Sequence, residues 1–306
     1  MEITFYSTNS KYNIIMRYHG MVIRPPSEAK SYILQVSYGC SHNRCTFCGT
    51  YLDKPFRPRN LDEILEDISL AKTQIPATRR VFLADGDALV LPTNRLIKIL
   101  DELNAAFPHL ERVGLYANAR DILRKTLDEL KTLHEKGLGI VYIGLESGSD
   151  EILKSIEKGA TAVEMIEAAQ KAKEAEILLS VIAILGLGEQ KNSTHHATET
   201  GRVVSKMNPD FFSMLTLMLV SGTKLHAQWE AGEFQLISPE EMLTELHQVI
   251  ENLNGLSECV FRTNHASNYL PLNGTFPQDK ERLLAMLDDA LAHGRDALRP
   301  EAWRGL

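Results

Sequence analysis

The 306-residue sequence contains only four cysteines, and no apolar run is long enough to cross a bilayer. In the cytoplasm a tight group of cysteines is more often metal-binding or catalytic than part of a disulfide framework. The stretch "ILLSVIAILGLG" is too short and too rich in glycine for a transmembrane helix. The N-terminus lacks the basic start, apolar segment and cleavage site of a secretory signal. We therefore expect a cytoplasmic protein that contacts no membrane. The length of the chain predicts one large domain, or one domain with an appendage.

Charge is distributed unevenly along the chain. Residues 1–60 carry a net charge of +5, whereas the remaining residues carry −12. The cations Arg44, Lys54, Arg57 and Arg59 are interpreted either as a solvated face or as a docking surface for an acidic partner or an anionic substrate. The overall acidity argues against extended phosphate contacts, but the basic first sixty residues keep nucleic acid as an alternative partner.

Short runs rich in Val, Ile, Leu and Phe alternate with stretches of helical periodicity, which predicts parallel strands joined by helices. The predicted strands are "YILQVSYG", "RRVFLADG", "ERVGLYAN", "GIVYIGLE", "ILLSVIAILGL" and "DFFSMLTLML". Right-handed crossovers curve six such units into an open barrel or a doubly wound sheet, and periodicity favours neither. After about residue 225 the alternation stops, and two further helices flank the polar loop "FRTNHASNYLPLNG".

Three of the four cysteines, Cys40, Cys45 and Cys48, lie within nine positions, directly after the first predicted strand. A structural zinc site requires four ligands, and His42 would complete the set only with strain, so zinc is the minor alternative. A 4Fe-4S cluster held by three thiolates has one iron with an open coordination position. The cysteines therefore predict a cluster with a position at which a further ligand can bind.

Polar residues and glycines follow each of the later strands, at the edge where ligands gather in parallel strand-helix folds. Each segment is a weak signal when taken singly, because such residues end strands in many proteins. Together they predict a site at one edge, built from "ADGD", "YANAR", "GLESGS", "GLGE" and "VSGTKLH".

The cysteine stretch and four later segments resemble the radical S-adenosylmethionine (SAM) superfamily, in the branch of methylthiotransferases and coproporphyrinogen oxidases. The usual cluster motif of that family is CxxxCxxC with an aromatic residue before the last cysteine. Phe47 occupies that place here, but the first spacing is four residues, which makes the motif CxxxxCxxC. The other segments are "DGD", "IGLESGSDEILKSIEKGAT", "VIAILGLGE" and "TLMLVSGTKL", and the likeness covers about residues 32–225.

The resemblance implies an α/β fold, with a partial (β/α)6 barrel of the TIM type. We expect an N-terminal segment over residues 1–31, the barrel core over 32–225, and a helical C-terminal extension over 226–306 that packs on the core.

The resemblance also implies that Cys40, Cys45 and Cys48 ligate a 4Fe-4S cluster whose open iron chelates the amino and carboxylate groups of SAM. An electron from the reduced cluster would cleave SAM to methionine and a 5'-deoxyadenosyl radical, which abstracts hydrogen from a substrate. Acidic residues are expected at the amino group or ribose, cations at the carboxylate, and glycines where the backbone approaches the adenosine. These candidates, each with a structural alternative such as a helix cap or a surface charge, are Asp85, Gly86, Asp87, Asn118, Arg120, Glu146, Ser147, Lys173, Gly186 and Gly188.

The substrate is not encoded in these motifs. We expect no methylthiolation, because a second cysteine cluster and the additional domains of methylthiotransferases are absent from this sequence. The segment "RTNHASNYLPLNG" either satisfies its own backbone or presents His265 and Tyr269 as candidate catalytic residues.

The predicted function is therefore hydrogen abstraction from a small molecule, with an electron donor such as flavodoxin or ferredoxin. The alternatives are modification of a nucleic acid such as tRNA, and a non-enzymatic iron-sulfur or zinc protein.

Overall fold

The computed structural model describes residues 17–305. Within that range the strands are β1 (Tyr32–Gln35), β2 (Ser37–Tyr38), β3 (Arg57–Pro58), β4 (Arg80–Ala84), β5 (Arg112–Tyr116), β6 (Leu138–Glu146), β7 (Leu178–Leu185), β8 (Phe211–Thr216), β9 (Cys259–Arg262) and β10 (Asn273–Phe276). The α-helices are α1 (Leu61–Gln74), α2 (Thr93–Ala106), α3 (Ala119–Arg124), α4 (Leu127–Glu135), α5 (Asp150–Ser155), α6 (Ala162–Glu174), α7 (Glu189–Met207), α8 (Lys224–Glu230), α9 (Pro239–Glu251) and α10 (Lys280–His293). No helix between residues 17 and 305 is both long and apolar enough to cross a membrane.

Eight strands form one mostly parallel sheet in the order β1-β4-β5-β6-β7-β8-β9-β10, and β2 pairs separately with β3. The pair β9 and β10 is antiparallel, whereas β1 with β4, β4 with β5, and β7 with β8 are parallel. Each of the six predicted strands is present. The predicted α/β class is confirmed, and the sheet is consistent with the expected partial barrel.

The chain divides into two compact units, which we describe separately. The first contains residues up to Asn43, Thr50–Tyr142 and Lys171–Leu178. Asn60 caps the start of α1, where its side chain accepts a hydrogen bond from Asp62 N, and Gly137 follows α4 with φ 105°. Fully buried side chains of α1 and α2 supply much of its core, among them Ile64, Ile68, Leu96, Ile99 and Leu103.

The second unit contains Arg44–Gly49, Ile143–Gln170 and the chain from Leu179 onward. Helix α9 packs against both α7 and α10 in it. A separate cluster of buried apolar side chains comprises Ile152, Ile156, Ile184, Leu187, Leu217, Leu225 and Phe234.

The predicted domain boundaries at the two ends of the chain stay predictions. The predicted N-terminal segment, residues 1–31, lies in part outside the described residues. The expected helical extension, residues 226–306, also contains the strands β9 and β10. Strand β9 is only four residues long and buries only Cys259 and Phe261. This alternation of buried and partly exposed residues is too short to be recognised in the sequence before a polar loop.

Candidate active site

The cysteine loop begins directly after β2. Cys40, Cys45 and Cys48 are half-buried, whereas Cys259 is buried in β9. Cys48 N donates a hydrogen bond to Cys45 O at 3.2 Å, so the backbone turns tightly between these two cysteines. Residues 17–305 contain no three His, Cys, Asp or Glu side chains already grouped as a metal site. Ligation of a cluster by the three thiols therefore stays a prediction.

Phe47 anchors the segment Arg44–Gly49 within the second unit. Its ring packs against the apolar cluster of that unit. On either side of Thr46 the backbone is held as well, since Thr46 N donates to Ile156 O at 3.0 Å and Leu225 N donates to Thr46 O at 2.9 Å. The aromatic residue of the motif thus fixes the backbone that carries Cys45 and Cys48.

Asp85 follows β4 and is fully buried in the first unit. Its Oδ2 accepts hydrogen bonds from Lys54 Nζ at 2.9 Å, Gln35 Nε2 at 3.0 Å and Gly39 N at 3.1 Å. Burial raises the pKa of Asp85, and the Lys54 ammonium opposes that rise. Asp85 therefore ties the end of β4 to the start of the cysteine loop, and its contact with SAM stays a prediction.

Gly86 lets the turn after β4 approach the first cysteine. A Cβ at Gly86 would lie 2.5 Å from Tyr51 Cε2 and 3.0 Å from Cys40 Cβ, so a side chain here would displace Tyr51 or Cys40. Gly86 N also donates to Gly39 O at 3.2 Å. Packing against the cysteine loop therefore explains why position 86 is a glycine. The predicted approach of its backbone to SAM is not needed for that explanation.

Asp87 is the centre of a polar network in the first unit. Its Oδ2 accepts hydrogen bonds from Ser41 Oγ and from Asn118 Nδ2, the latter at 2.6 Å, while Arg120 Nη2 donates to Ser41 Oγ at 2.5 Å. The other carboxylate oxygen, Oδ1, is buried and has no hydrogen-bond partner among the described residues. Burial, and after it the charge of Asp121, raise the pKa of Asp87 to about 7.

The structure thus brings together three of the predicted residues, Asp87, Asn118 and Arg120, and adds two that the sequence did not single out, Ser41 and Asp121. Asp121 lies 3.3 Å from Arg120 Nε and is buried. The available signals were modest: Ser41 directly follows Cys40, and Asp121 directly follows Arg120 in the "YANAR" segment.

Glu146 ends β6 in a conformation that few residues other than glycine adopt, with φ 64°. Its Oε1 accepts a hydrogen bond from Lys158 Nζ at 2.8 Å, and both side chains are 9% exposed. Backbone strain of this kind is retained mainly at functional positions. Glu146 keeps its place as a candidate, but as half of a buried ion pair.

Ser147 and the glycines near the end of β7 are fixed by residues of the second unit. Ser147 Oγ lies 2.8 Å from His196 Nδ1, and Gly186 N donates to Glu245 Oε1 at 2.7 Å. Gly186 has φ 89°, and a Cβ on it would lie 2.4 Å from Met242 Cε. Gly188 is the N-cap residue of α7.

Lys173 lies in the last turn of α6, which leads into the start of β7. The other candidates follow the ends of strands. This position gives no support to a contact between Lys173 and the SAM carboxylate, which stays a prediction.

His265 and Tyr269 lie in the loop between β9 and β10. Ser267 N donates to His265 Nδ1 at 3.1 Å, so in the neutral ring the proton is on Nε2, and burial followed by Arg299 lowers the pKa of His265. The Tyr269 hydroxyl donates to Glu301 Oε2 at 2.7 Å and accepts from Arg304 Nη1 at 2.6 Å. Burial raises the pKa of Tyr269 to about 12. Tyr269 is therefore engaged in structural contacts, whereas His265 presents a neutral imidazole with a defined tautomer.

Half-buried thiols, buried carboxylates and glycine turns follow parallel strands of this α/β fold, an arrangement typical of enzymes that bind a cofactor at the ends of the strands. The sequence profile of the radical SAM superfamily matches residues 34–199, more than half of the chain. The protein belongs to that superfamily.

Individual relatives are distant. A putative methylthiotransferase of Methanocaldococcus jannaschii is 23% identical over 240 residues, which cover 75% of this chain and 50% of that protein. The chain therefore spans about half the length of that curated relative.

Two solved structures share the fold. The radical SAM methyltransferase TsrM from Kitasatospora setae, with cobalamin and a 4Fe-4S cluster bound, has a TM-score of 0.56 at 15% identity, covering 74% of this chain and 45% of that one. Coproporphyrinogen III oxidase from Escherichia coli, a radical SAM enzyme, has a TM-score of 0.55 at 17% identity, covering 72% and 51%.

These comparisons confirm the predicted family and the prediction of an enzyme. They also support the 4Fe-4S cluster and SAM as the cofactors. They leave the substrate and the predicted site residues as proposals.

Proposed function

We propose that this protein is a radical SAM enzyme that abstracts hydrogen from a small-molecule substrate, with a 4Fe-4S cluster held by Cys40, Cys45 and Cys48. The Asp87 network carries the proposal. The buried Oδ1 of Asp87 has no hydrogen-bond partner among the described residues, and a cationic amino group would donate to that oxygen and favour the ionised carboxylate. When bound, the cluster and SAM together supply the 5'-deoxyadenosyl radical.

The donor set fits these cofactors. Cys40 directly precedes Ser41, which donates to Asp87, and Gly86 packs against Cys40, so the first thiol and the acidic turn after β4 are held as one piece. In our proposal Asp87 accepts from the amino group of SAM, and Arg120, 28% exposed through its side chain, receives the carboxylate. Glu146 would receive a ribose hydroxyl or the amino group. Gly186 and Gly188 keep the backbone near the ribose or adenine unobstructed.

The residues of the chain have three tasks in this reaction. They bind and orient SAM, keep water and oxygen away from the radical, and hold protons at defined atoms. Asp87 keeps its proton up to about neutral pH when no cation is present, and a cationic ligand would favour its release. His265 would donate a hydrogen bond from Nε2 to an oxygen of the substrate.

The test is anaerobic reconstitution with iron and sulfide, followed by dithionite and SAM. We expect 5'-deoxyadenosine from the wild type and from Cys259→Ser, which alters the buried cysteine of β9. Cys45→Ser should form none. Equal product from Cys45→Ser, or none from the wild type, would refute the proposal.

The substrate can be sought through deuterium transfer from a labelled cell extract into 5'-deoxyadenosine. We expect the label to come from the small-molecule fraction, and reduced flavodoxin or ferredoxin to replace dithionite. Label that comes only from the tRNA fraction would instead establish the nucleic-acid alternative.

A further inference from the structure

His196 is a fully buried histidine on α7 that connects the ends of two neighbouring strands in the second unit. Its Nδ1 lies 2.8 Å from Ser147 Oγ, in the turn after β6, and its Nε2 lies 3.0 Å from Ile184 O, near the end of β7. Because a carbonyl oxygen can only accept, Nε2 carries a hydrogen. In the neutral ring Nδ1 then accepts from the Ser147 hydroxyl.

The turn after β6 depends on this contact. Ser147 Oγ also accepts a hydrogen bond from Ser149 N at 3.0 Å, so the hydroxyl has its hydrogen available for His196. One helical turn further along α7, Thr200 Oγ1 accepts from Gly148 N at 3.0 Å. Gly148 is pressed against the helix, since a Cβ there would lie 2.2 Å from Glu199 O.

The turn after β7 is held from the same helix face and from α9. Glu245 is fully buried; its Oε1 accepts from Gly186 N at 2.7 Å and its Oε2 accepts from Ser193 Oγ. His196 Nε2 lies 3.6 Å from Glu245 Oε1. Residues 193, 196 and 200 recur at helical spacing on one face of α7. From that face His196 and Thr200 contact the turn after β6, His196 contacts the end of β7, and Ser193 contacts Glu245, which holds Gly186.

We propose that His196 is a positioning residue for SAM binding, which fixes the turns that carry Glu146 and Gly186 relative to each other. This inference rests on the proposed function. His196 does not touch the cofactor; it acts through Ser147 and the backbone of Ile184. A buried network of this kind is favourable only when each member is paired, so loss of the imidazole should loosen both turns at once.

The first experiment requires no cofactor. Hydrogen exchange of the Ser149 and Gly186 amides is compared in the wild type, His196→Ala and Val203→Ala, the last being a buried apolar residue of the same helix. We expect both amides to exchange at least tenfold faster in His196→Ala and within twofold of the wild type in Val203→Ala. Unchanged protection in His196→Ala, or an equal loss in Val203→Ala, would overturn the inference.

The second experiment measures the dissociation constant of SAM by equilibrium binding to the reconstituted, unreduced proteins. We expect a tenfold or greater weakening in His196→Ala, less than twofold in Val203→Ala, and recovery to within threefold in His196→Gln, whose amide can donate to Ile184 O and accept from Ser147. If His196→Ala does not fold, Ser147→Ala removes one of the two contacts and is expected to weaken binding at least threefold.

The outcomes separate the two proposals. A wild type that fails to bind SAM refutes the proposed function and the role of His196 in it. A wild type that binds SAM beside a His196→Ala variant of equal affinity refutes the role of His196 and leaves the proposed function standing.

Discussion

Asp87 holds its proton to about neutral pH, because it is buried beside the charge of Asp121. The pKa of this carboxyl is higher in the folded than in the unfolded chain, so the folded state binds more protons between about pH 4 and pH 7. The free energy of unfolding should therefore fall as the pH rises through that window. The loss that Asp87 causes is complete above pH 7. We expect Asp87→Asn to flatten the dependence and to be the more stable protein at pH 8, by on the order of 1 kcal/mol or more. Urea unfolding of the wild type and of Asp87→Asn at pH 5 and pH 8 measures the free energy of unfolding. An equal change between the two pH values in both proteins would contradict the prediction.

Lys54 and Asp85 form a buried ion pair with side chains 6% and 0% exposed. Removal of one partner leaves the other charge buried and unpaired, which costs about 3–5 kcal/mol. We expect Lys54→Met to lose that amount of unfolding free energy, and the double variant with Asp85→Asn to regain part of it. A double-mutant cycle by chemical denaturation checks the prediction, and strictly additive losses would refute the coupling.

For single residues, the sequence indicated which positions belong to the candidate site better than it indicated which side chains they contact. Asp85, Asp87 and Glu146 stood out because they follow strands. Their partners, such as Lys54 for Asp85 and Lys158 for Glu146, depend on tertiary contacts that spacing does not encode. His196 was missed for the same reason, since a lone histidine in a helix gives no signal until its neighbours are known.

The C-terminal residues 298–305 act as a strap over the loop that contains His265 in the second unit. Arg304, with a side chain 2% exposed, donates to Ser267 O at 2.6 Å and to Leu217 O at 3.2 Å, and its guanidinium lies 4.1 Å from the centre of the Tyr269 ring. This element was expected to be part of a helical extension. Its contacts span 37 and 87 positions, which no local pattern reveals.

We expect Arg304→Ala to lower the free energy of unfolding by about 2 kcal/mol and to speed amide exchange over residues 265–269. The matched control is Arg295→Ala. Arg295 is 76% exposed and pairs with Glu240 on the surface, so its loss should change stability by less than about 0.5 kcal/mol. Slow exchange in the loop of Arg304→Ala would show that the strap does not hold it.

Secondary structure followed expectation wherever a segment was long and strongly apolar. Strands β1, β4, β6 and β7 bury most of their residues, and β8 buries every second residue. That burial is the signal that hydrophobic periodicity detects. Strands β9 and β10 have four residues each and adjoin a polar loop, so pairing with neighbours determines them more than composition does.

For the whole molecule, binding of SAM to the folded state should appear as added stability. Ligand at one hundred times its dissociation constant contributes about 2.7 kcal/mol, which for a chain of this size corresponds to a rise in Tm on the order of 5 °C. We expect that rise in the reconstituted wild type, and none in Cys45→Ser treated in the same way. Anaerobic scanning calorimetry provides the measurement, and an equal rise in both proteins would place SAM elsewhere than at the cluster.

Gly148 sets a limit on how this sequence can diverge. A Cβ there would lie 2.2 Å from the carbonyl oxygen of Glu199. To remove this clash α7 would have to move away, which would break the contacts of Ser193, His196 and Thr200. Descendants of this chain can therefore exchange surface charges and loop lengths, but a lineage that replaces Gly148 must also rebuild the helix contact. Among relatives, a glycine at this position would therefore indicate that α7 packs as it does here. Relatives that share only the spacing of the three cysteines need not have it.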